Sequence, residues 1–338
     1  MRPFEKPPLA VEEQLQLLKG RGLAIRDDER AAALLEVVSL FRLSPYMRPF
    51  QHAGNPDHRF LEGATLADIV TLYRFDRELR NLVMDALERV EVAVRACIGN
   101  TMAIRYDDAH WYLQRTHFKH HFDHSRLHSR LLGELKQKLE REREHFAKEV
   151  GCIRRSRARE SLKSQRIERR LRDNYFRYYG QTYDPPELPP SWAVLEELSL
   201  GLISRLYQGI ARDADRKQIA KRFNLPQEVL GSWLHTLTFV RNCCAHHARL
   251  WNRELAIPPR LPKSPDWHWS QTSPHQPHPE RRLFVVLLML AHLMRHISPN
   301  SGWKERLEQL LEKYPSVPLM GMGFTENWNA HPVWTGKG

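Results

Sequence analysis

The chain has 338 residues, enough for one large domain or two ordinary ones. Its 52 Lys and Arg outweigh 40 Asp and Glu, and the formal charge of +12 points to an acidic partner, nucleic acid ahead of a membrane surface. The four cysteines (Cys97, Cys152, Cys243, Cys244) form no C-x-x-C pair, which argues against a zinc ribbon or disulfide framework and for reduced thiols.

The opening "MRPFEKPPLA" lacks the apolar core of a secretory signal. A helix follows in "AVEEQLQLLKGRG", with Leu15 and Leu18 on one face and a Gly-Arg-Gly stop. A second, "DDERAAALLEVVSLF", is expected to end before "RLSPYMRPF". Residues 65–103 are the longest periodic run. Ile69, Leu72, Leu79, Val83, Leu87, Val90 and Val94 recur at steps of three, four or seven, and Thr65 with Asp68 reads as a cap and first-turn acid. Residues 117–172 are polar, charged and poor in large apolar groups. After the breaker "PPELPP" come helices at "SWAVLEELSLGLISRLYQGI", "ADRKQIAKRF" and "PQEVLGSWLHTLTFVRNCCAHHARLWNREL". A loop over residues 256–280 carries seven prolines, a length that usually covers a site or runs through solvent. An apolar helix (281–297) and an amphipathic one (302–313) close the chain. The apolar run "LFVVLLMLAHLM" is too short to span a bilayer, so a buried helix, no membrane partner and a cytoplasmic location are expected. Strand alternation and hairpin turns are absent, and the fold class is all-α.

The stretch "VRNCCAHHARLWNR" (240–253) carries the densest chemistry. On a single helix over 234–255, Leu237, Val240, Cys244, Ala248, Trp251 and Leu255 form a buried stripe. Asn242, His246, Arg249 and Arg253 then fall on a polar face, with Arg241 at the border between the two. Histidine exchanges protons near neutral pH, and arginine holds phosphate bidentately without losing charge. These are the groups that metal-independent RNA cleavage uses: a base for the 2′-hydroxyl, an acid for the leaving oxygen and a cation for the phosphorane. Arg241 and His246 stand roughly 140° apart on such a helix, so a site using both needs a long reach or a second copy of the chain.

"RNCCAHHARLWNR" resembles the signature of the Abi family, the AbiD/AbiF-like bacterial abortive-infection proteins, and through it the R-x(4–6)-H motif of the HEPN superfamily of α-helical ribonucleases. Four further segments are similar in the same order. They are "KPPLAVEEQLQLLKGRGL", "FRLSPYMRPF", "PPSWAVLEELSLGLISRLY" (on Trp192, Glu196, Gly201 and Ser204) and "MGFTENWNAHPVW". The resemblance implies a HEPN-like helical bundle, a role in defence against phage, RNA as ligand and a homodimer whose two motifs share one cleft. On it Arg241, Asn242, His246 and His247 are the expected catalytic residues of a metal-independent endoribonuclease with no cofactor, and Arg249 and Arg253 hold flanking backbone. It also implies an alternative: stable binding of a structured noncoding RNA without cleavage.

"CIRRSRARESLKSQRIERRLR" (152–172) holds nine Lys or Arg against two Glu over residues 153–172. As one helix it presents Arg155, Arg159, Lys163, Arg166 and Arg170 in a basic stripe suited to phosphates. "YFRYYGQTY" beside it offers aromatics for base stacking or for the core. In "HFKHHFDHSRLH", His117, His121, His124 and His128 share a helical face, but no second segment supplies a ligand and no metal site is expected. The expected organisation is an N-terminal helical segment (1–60), the first part of the core (61–116), a basic His-rich helical insertion (117–184) and the rest of the core with the motif (185–338). A protein-interaction module, its basic helix docking an acidic partner, is the rival from another class.

Overall fold

The structure is a computed structural model that describes residues 3, 7–120, 122–267 and 278–336. Among these residues every regular element is helical, and pairing of extended backbone is confined to three isolated bridges. The fold is all-α. In chain order the helices are α1 (Val11–Gly20), α2 (Asp28–Val37), α3 (Leu40–Met47), α4 (Leu66–Tyr106), α5 (Phe122–Arg155), α6 (Glu160–Arg172) and α7 (Tyr175–Thr182). There follow α8 (Ser191–Glu196), α9 (Leu200–Gly209), α10 (Asp213–Lys221), α11 (Gln227–Ala245), α12 (Leu283–Ile297), α13 (Trp303–Lys313) and α14 (Pro332–Thr335).

The axis of the molecule is α4, against which α3, α8, α10, α11, α12 and α13 pack. Its start is written locally: the Thr65 hydroxyl accepts from the Asp68 N–H while Asp68 accepts from the Thr65 N–H. Its apolar stripe is buried as the periodicity requires, from Ile69 through Val94. Helix α12 is buried from Leu283 to Met294, and no helix among the described residues is long and apolar enough to cross a membrane.

Two polar side chains interrupt the α4 stripe. Asp76 and Arg80 pair inside the core, where the Tyr46 hydroxyl donates to Asp76 at 2.5 Å. The same carboxylate accepts the backbone N–H groups of Leu250 (3.1 Å) and Trp251 (2.6 Å). Burial raises the Asp76 pKa, while Arg80, Tyr46 and the two N–H groups act against that rise. This one side chain ties α3 and α4 to the segment that follows α11. The Arg42 guanidinium adds a second tie, donating to the His247 carbonyl at 2.7 Å. "FRLSPYMRPF" therefore meets "RNCCAHHARLWNR" in space, 205 residues apart at the Arg42–His247 bond.

Helices α5, α6 and α7 pack on one another, and α5 also touches α9. Their centre is Arg177, buried and paired with Glu142 (3.3 Å) and Glu149 (3.0 Å) while donating to the Arg170 carbonyl.

Several expected helices are interrupted. The second ends at Val37, and Ser39 caps a new helix that takes in "RLSPYM". "SWAVLEELSLGLISRLYQGI" is split by Ser199, whose hydroxyl accepts from the Leu202 N–H and starts α9 afresh. The basic segment 152–172 is likewise two helices, broken over residues 156–159, so the continuous stripe does not form. Arg155 ends α5 and approaches the Cys152 sulfur, and Arg159 caps α6. Lys163 pairs with Glu160, Arg170 with Asp173, and Arg166 is exposed. The histidine ladder does not form either: His117 lies in a 3-10 turn, and His128 is buried with Nε2 at 2.9 Å from the Tyr112 carbonyl. His121 and the side chain of His124 lie outside the described residues.

One buried histidine gives the fold a pH dependence. His292 packs against Trp233 and Trp267, and burial lowers its pKa from 6.5 to about 4. Unfolding frees it to protonate below its ordinary value, so stability is lost as pH falls from 6.5 towards 4, by up to about 3 kcal/mol. Melts at pH 7.5 and pH 5 should differ by less in His292→Gln than in the parent. An equal difference in both would reject His292 as a source.

Candidate nucleic-acid interface

Helix α11 ends at Ala245, ten residues short of the expected end, and this changes the geometry of the motif. His246 is the C-cap, its N–H donating to the Asn242 carbonyl, and His247 adopts φ +55°. Beyond it Asp76 captures the Leu250 and Trp251 N–H groups, which turns the chain away from the helical path. The face Asn242–His246–Arg249–Arg253 therefore does not exist as one stripe. Arg249 lies 6.0 Å over the Trp251 ring and Arg253 lies 5.9 Å over Phe239. Arg253 also donates to the Arg249 carbonyl. Burial first, then the Arg253 charge, lower the Arg249 pKa.

What the helix does present is a groove against α9. Gly201 allows the close approach, since a Cβ there would stand 3.2 Å from the Thr238 methyl. One lobe, about 440 Å³, is lined from α9 by Gly201, Ser204, Arg205 and Gln208 and from α11 by His235, Thr238, Arg241 and Asn242. Along α11 His235, Thr238 and Asn242 step by three and four on one face, with Arg241 at its edge. Arg241 is half-buried, as its border position predicts, and its Nε is buried with no hydrogen-bond partner. A buried donor left unpaired costs about 1–3 kcal/mol, which an incoming acceptor offsets.

His246 and His247 are exposed just past the end of α11 and do not line this lobe. They are not sealed in apolar packing. The histidine that does line the groove is His235, which the motif did not flag. The spacing Gly231–His235–Thr238–Asn242 would have flagged it; on α9, Gly201 and Ser204 are among the residues that the resemblance singled out, while Arg205 and Gln208 are not. The proline-rich loop runs along α11: Thr236 donates to the Ile257 carbonyl, Trp233 Nε1 to the Arg260 carbonyl, and the Arg260 N–H to the Ser232 hydroxyl. Its residues 268–277 lie outside the described residues. Burial pushes the Cys244 thiol up to about 12 and also raises that of Cys243, which disfavours the thiolate at both.

These features define an all-helical protein with a cationic groove between two core helices. A family model described as Abi-like protein matches residues 33–252, about two thirds of the chain, from within α2 to the turn that follows α11. The chain belongs to that family. No curated protein and no solved structure matches it.

Proposed function

We propose that the chain is an abortive-infection effector that binds RNA in the α9–α11 groove and cleaves it without a metal. Family membership points to abortive infection as its setting. The reading rests on one observation above the rest: Arg241 and Asn242 line a groove in which the arginine has no partner of its own among the described residues. A scissile phosphate there is held by the Arg241 fork and the Asn242 amide. His246 or His247 takes the 2′-hydroxyl proton or protonates the 5′ leaving oxygen, giving a 2′,3′-cyclic phosphate and a 5′-hydroxyl. Arg249 and Arg253, beside the histidines, take flanking backbone, and the exposed Arg155, Arg159, Arg166 and Arg170 with Lys163 add sequence-independent attraction.

Because the histidines lie outside the Arg241 lobe, the acid and base come from a second copy across a two-fold axis. Support for pairing is the exposed apolar couple Val37 (80%) and Phe41 (88%), next to the Arg42 that holds the His247 carbonyl. The same separation favours a second reading, in which the groove grips a structured noncoding RNA and nothing is cut. Incubating end-labelled RNA with the protein in EDTA separates the two. Cleavage to a cyclic phosphate is the expected result, whereas intact RNA retained on the protein supports binding alone.

A further inference from the structure

The groove has a second lobe that the motif does not reach. It is about 480 Å³, opens beside the first past the shared Gln208 and His235, and is bordered by Lys119, Gln227, Ser232 and Arg260. The cations differ in their commitments. Arg216, which also lines it, is taken up by Asp213 and the Ile210 carbonyl. Lys119 Nζ and the Arg260 guanidinium have no hydrogen bond or ion pair among the described residues, and burial lowers the Lys119 pKa. One carboxylate, Glu228, is present, and it accepts from Gln227 Nε2 at 2.8 Å.

Gln227 supplies an independent sign of a ligand. It is only 5% exposed, and its Nε2 is fixed by Glu228, which assigns the other amide atom as oxygen. That Oε1 is buried with no donor. A buried acceptor left in this state is costly, and it pairs with an N–H or O–H brought from outside. Unpartnered cations with an unpartnered amide oxygen match a nucleotide: phosphate for Lys119 and Arg260, a base N–H or ribose hydroxyl for Gln227.

We infer that this lobe is a nucleotide subsite, adjoining the Arg241 lobe, for one continuous single strand of RNA. The inference rests on the reading that the Arg241 lobe holds RNA. The strand runs along α11 from Arg241 towards Gln227, with His235 at the waist facing the phosphate that joins the two nucleotides. A duplex does not fit, because its bases stay stacked and cannot enter a pocket. The flanking backbone thus lies over Lys119 and Arg260 on one side of Arg241, a path that the residues after the motif did not suggest.

The test is fluorescence anisotropy of a labelled single-stranded RNA of about ten nucleotides over a salt series. A His246→Ala/His247→Ala background keeps the strand intact. Each phosphate contact on a single strand contributes about 0.7 to the slope of log K against log salt. Lys119→Met with Arg260→Met should lower that slope by about 1.4 and weaken binding roughly 10–30-fold near 0.1 M salt. Gln227→Met should weaken binding with the slope unchanged. If Arg205→Met with Arg241→Met loses affinity but the Lys119/Arg260 pair binds as the parent does, the subsite is wrong and the RNA reading stands. If the Lys119/Arg260 pair loses affinity with an unchanged slope, those residues do not touch phosphate and the subsite is again wrong. If neither pair alters binding, RNA lies elsewhere and both readings fall.

Discussion

Asp76→Ala is expected to destabilise the protein by about 3–5 kcal/mol, because it leaves a buried arginine without its counter-charge. The carboxylate is fully buried and serves the Arg80 guanidinium, the Tyr46 hydroxyl and the N–H groups of Leu250 and Trp251. Alanine strands all of these at once, and the melting temperature should fall on the order of 10 °C. Adding Arg80→Leu should restore part of the loss, since the lone charge is then gone. It should not restore all of it, because the two N–H groups still lack an acceptor. Calorimetric melts of the parent, the single and the double variant measure this. A single variant that melts within about 1 °C of the parent would mean that Asp76 does not hold the turn after α11.

The second large effect is on cleavage. Arg241→Met should lower the rate about 10²–10³-fold, the usual cost of losing a cation aimed at developing charge. His246→Ala with His247→Ala should lower it about 10²–10⁴-fold, the range for an acid or base. Each variant alone is defective, yet a mixture of the two should regain activity. In a mixed dimer one site pairs the intact Arg241 of one chain with the intact histidines of the other. With random pairing the mixture should recover about a quarter of the parental sites. Recovery is the signature of a site shared between chains. A double histidine variant that cuts at the parental rate would remove His246 and His247 from the chemistry, and an inert mixture would reject the shared site.

The sequence makes some parts of this protein legible and hides others for physical reasons. The α4 stripe and its Thr65–Asp68 cap are readable because both depend on residues within a few positions of each other. The end of α11 is not. No glycine or proline marks it, and the acceptor that turns the chain is Asp76, 174 residues from Leu250. His247 takes a left-handed conformation that few residues other than glycine adopt, and sequence alone does not signal it. Arg241 and Asn242 are recoverable from the motif because they precede the break; the expected alignment of His246, Arg249 and Arg253 with Asn242 fails because those residues follow it. The α9 wall (Gly201, Ser204, Arg205, Gln208) lies on one helix face, but its meeting with α11 and with Arg260 is set by packing that no local pattern signals.

Ultraviolet crosslinking of 4-thiouridine RNA to the protein, with the attached peptides mapped by mass spectrometry, tests the central claim most directly. Crosslinks should concentrate in residues 199–208 and 227–242 and disappear from both in Arg241→Met with Arg205→Met. Crosslinks confined to α5 and α6, or the same map in the parent and the double variant, would contradict the α9–α11 groove as the RNA site.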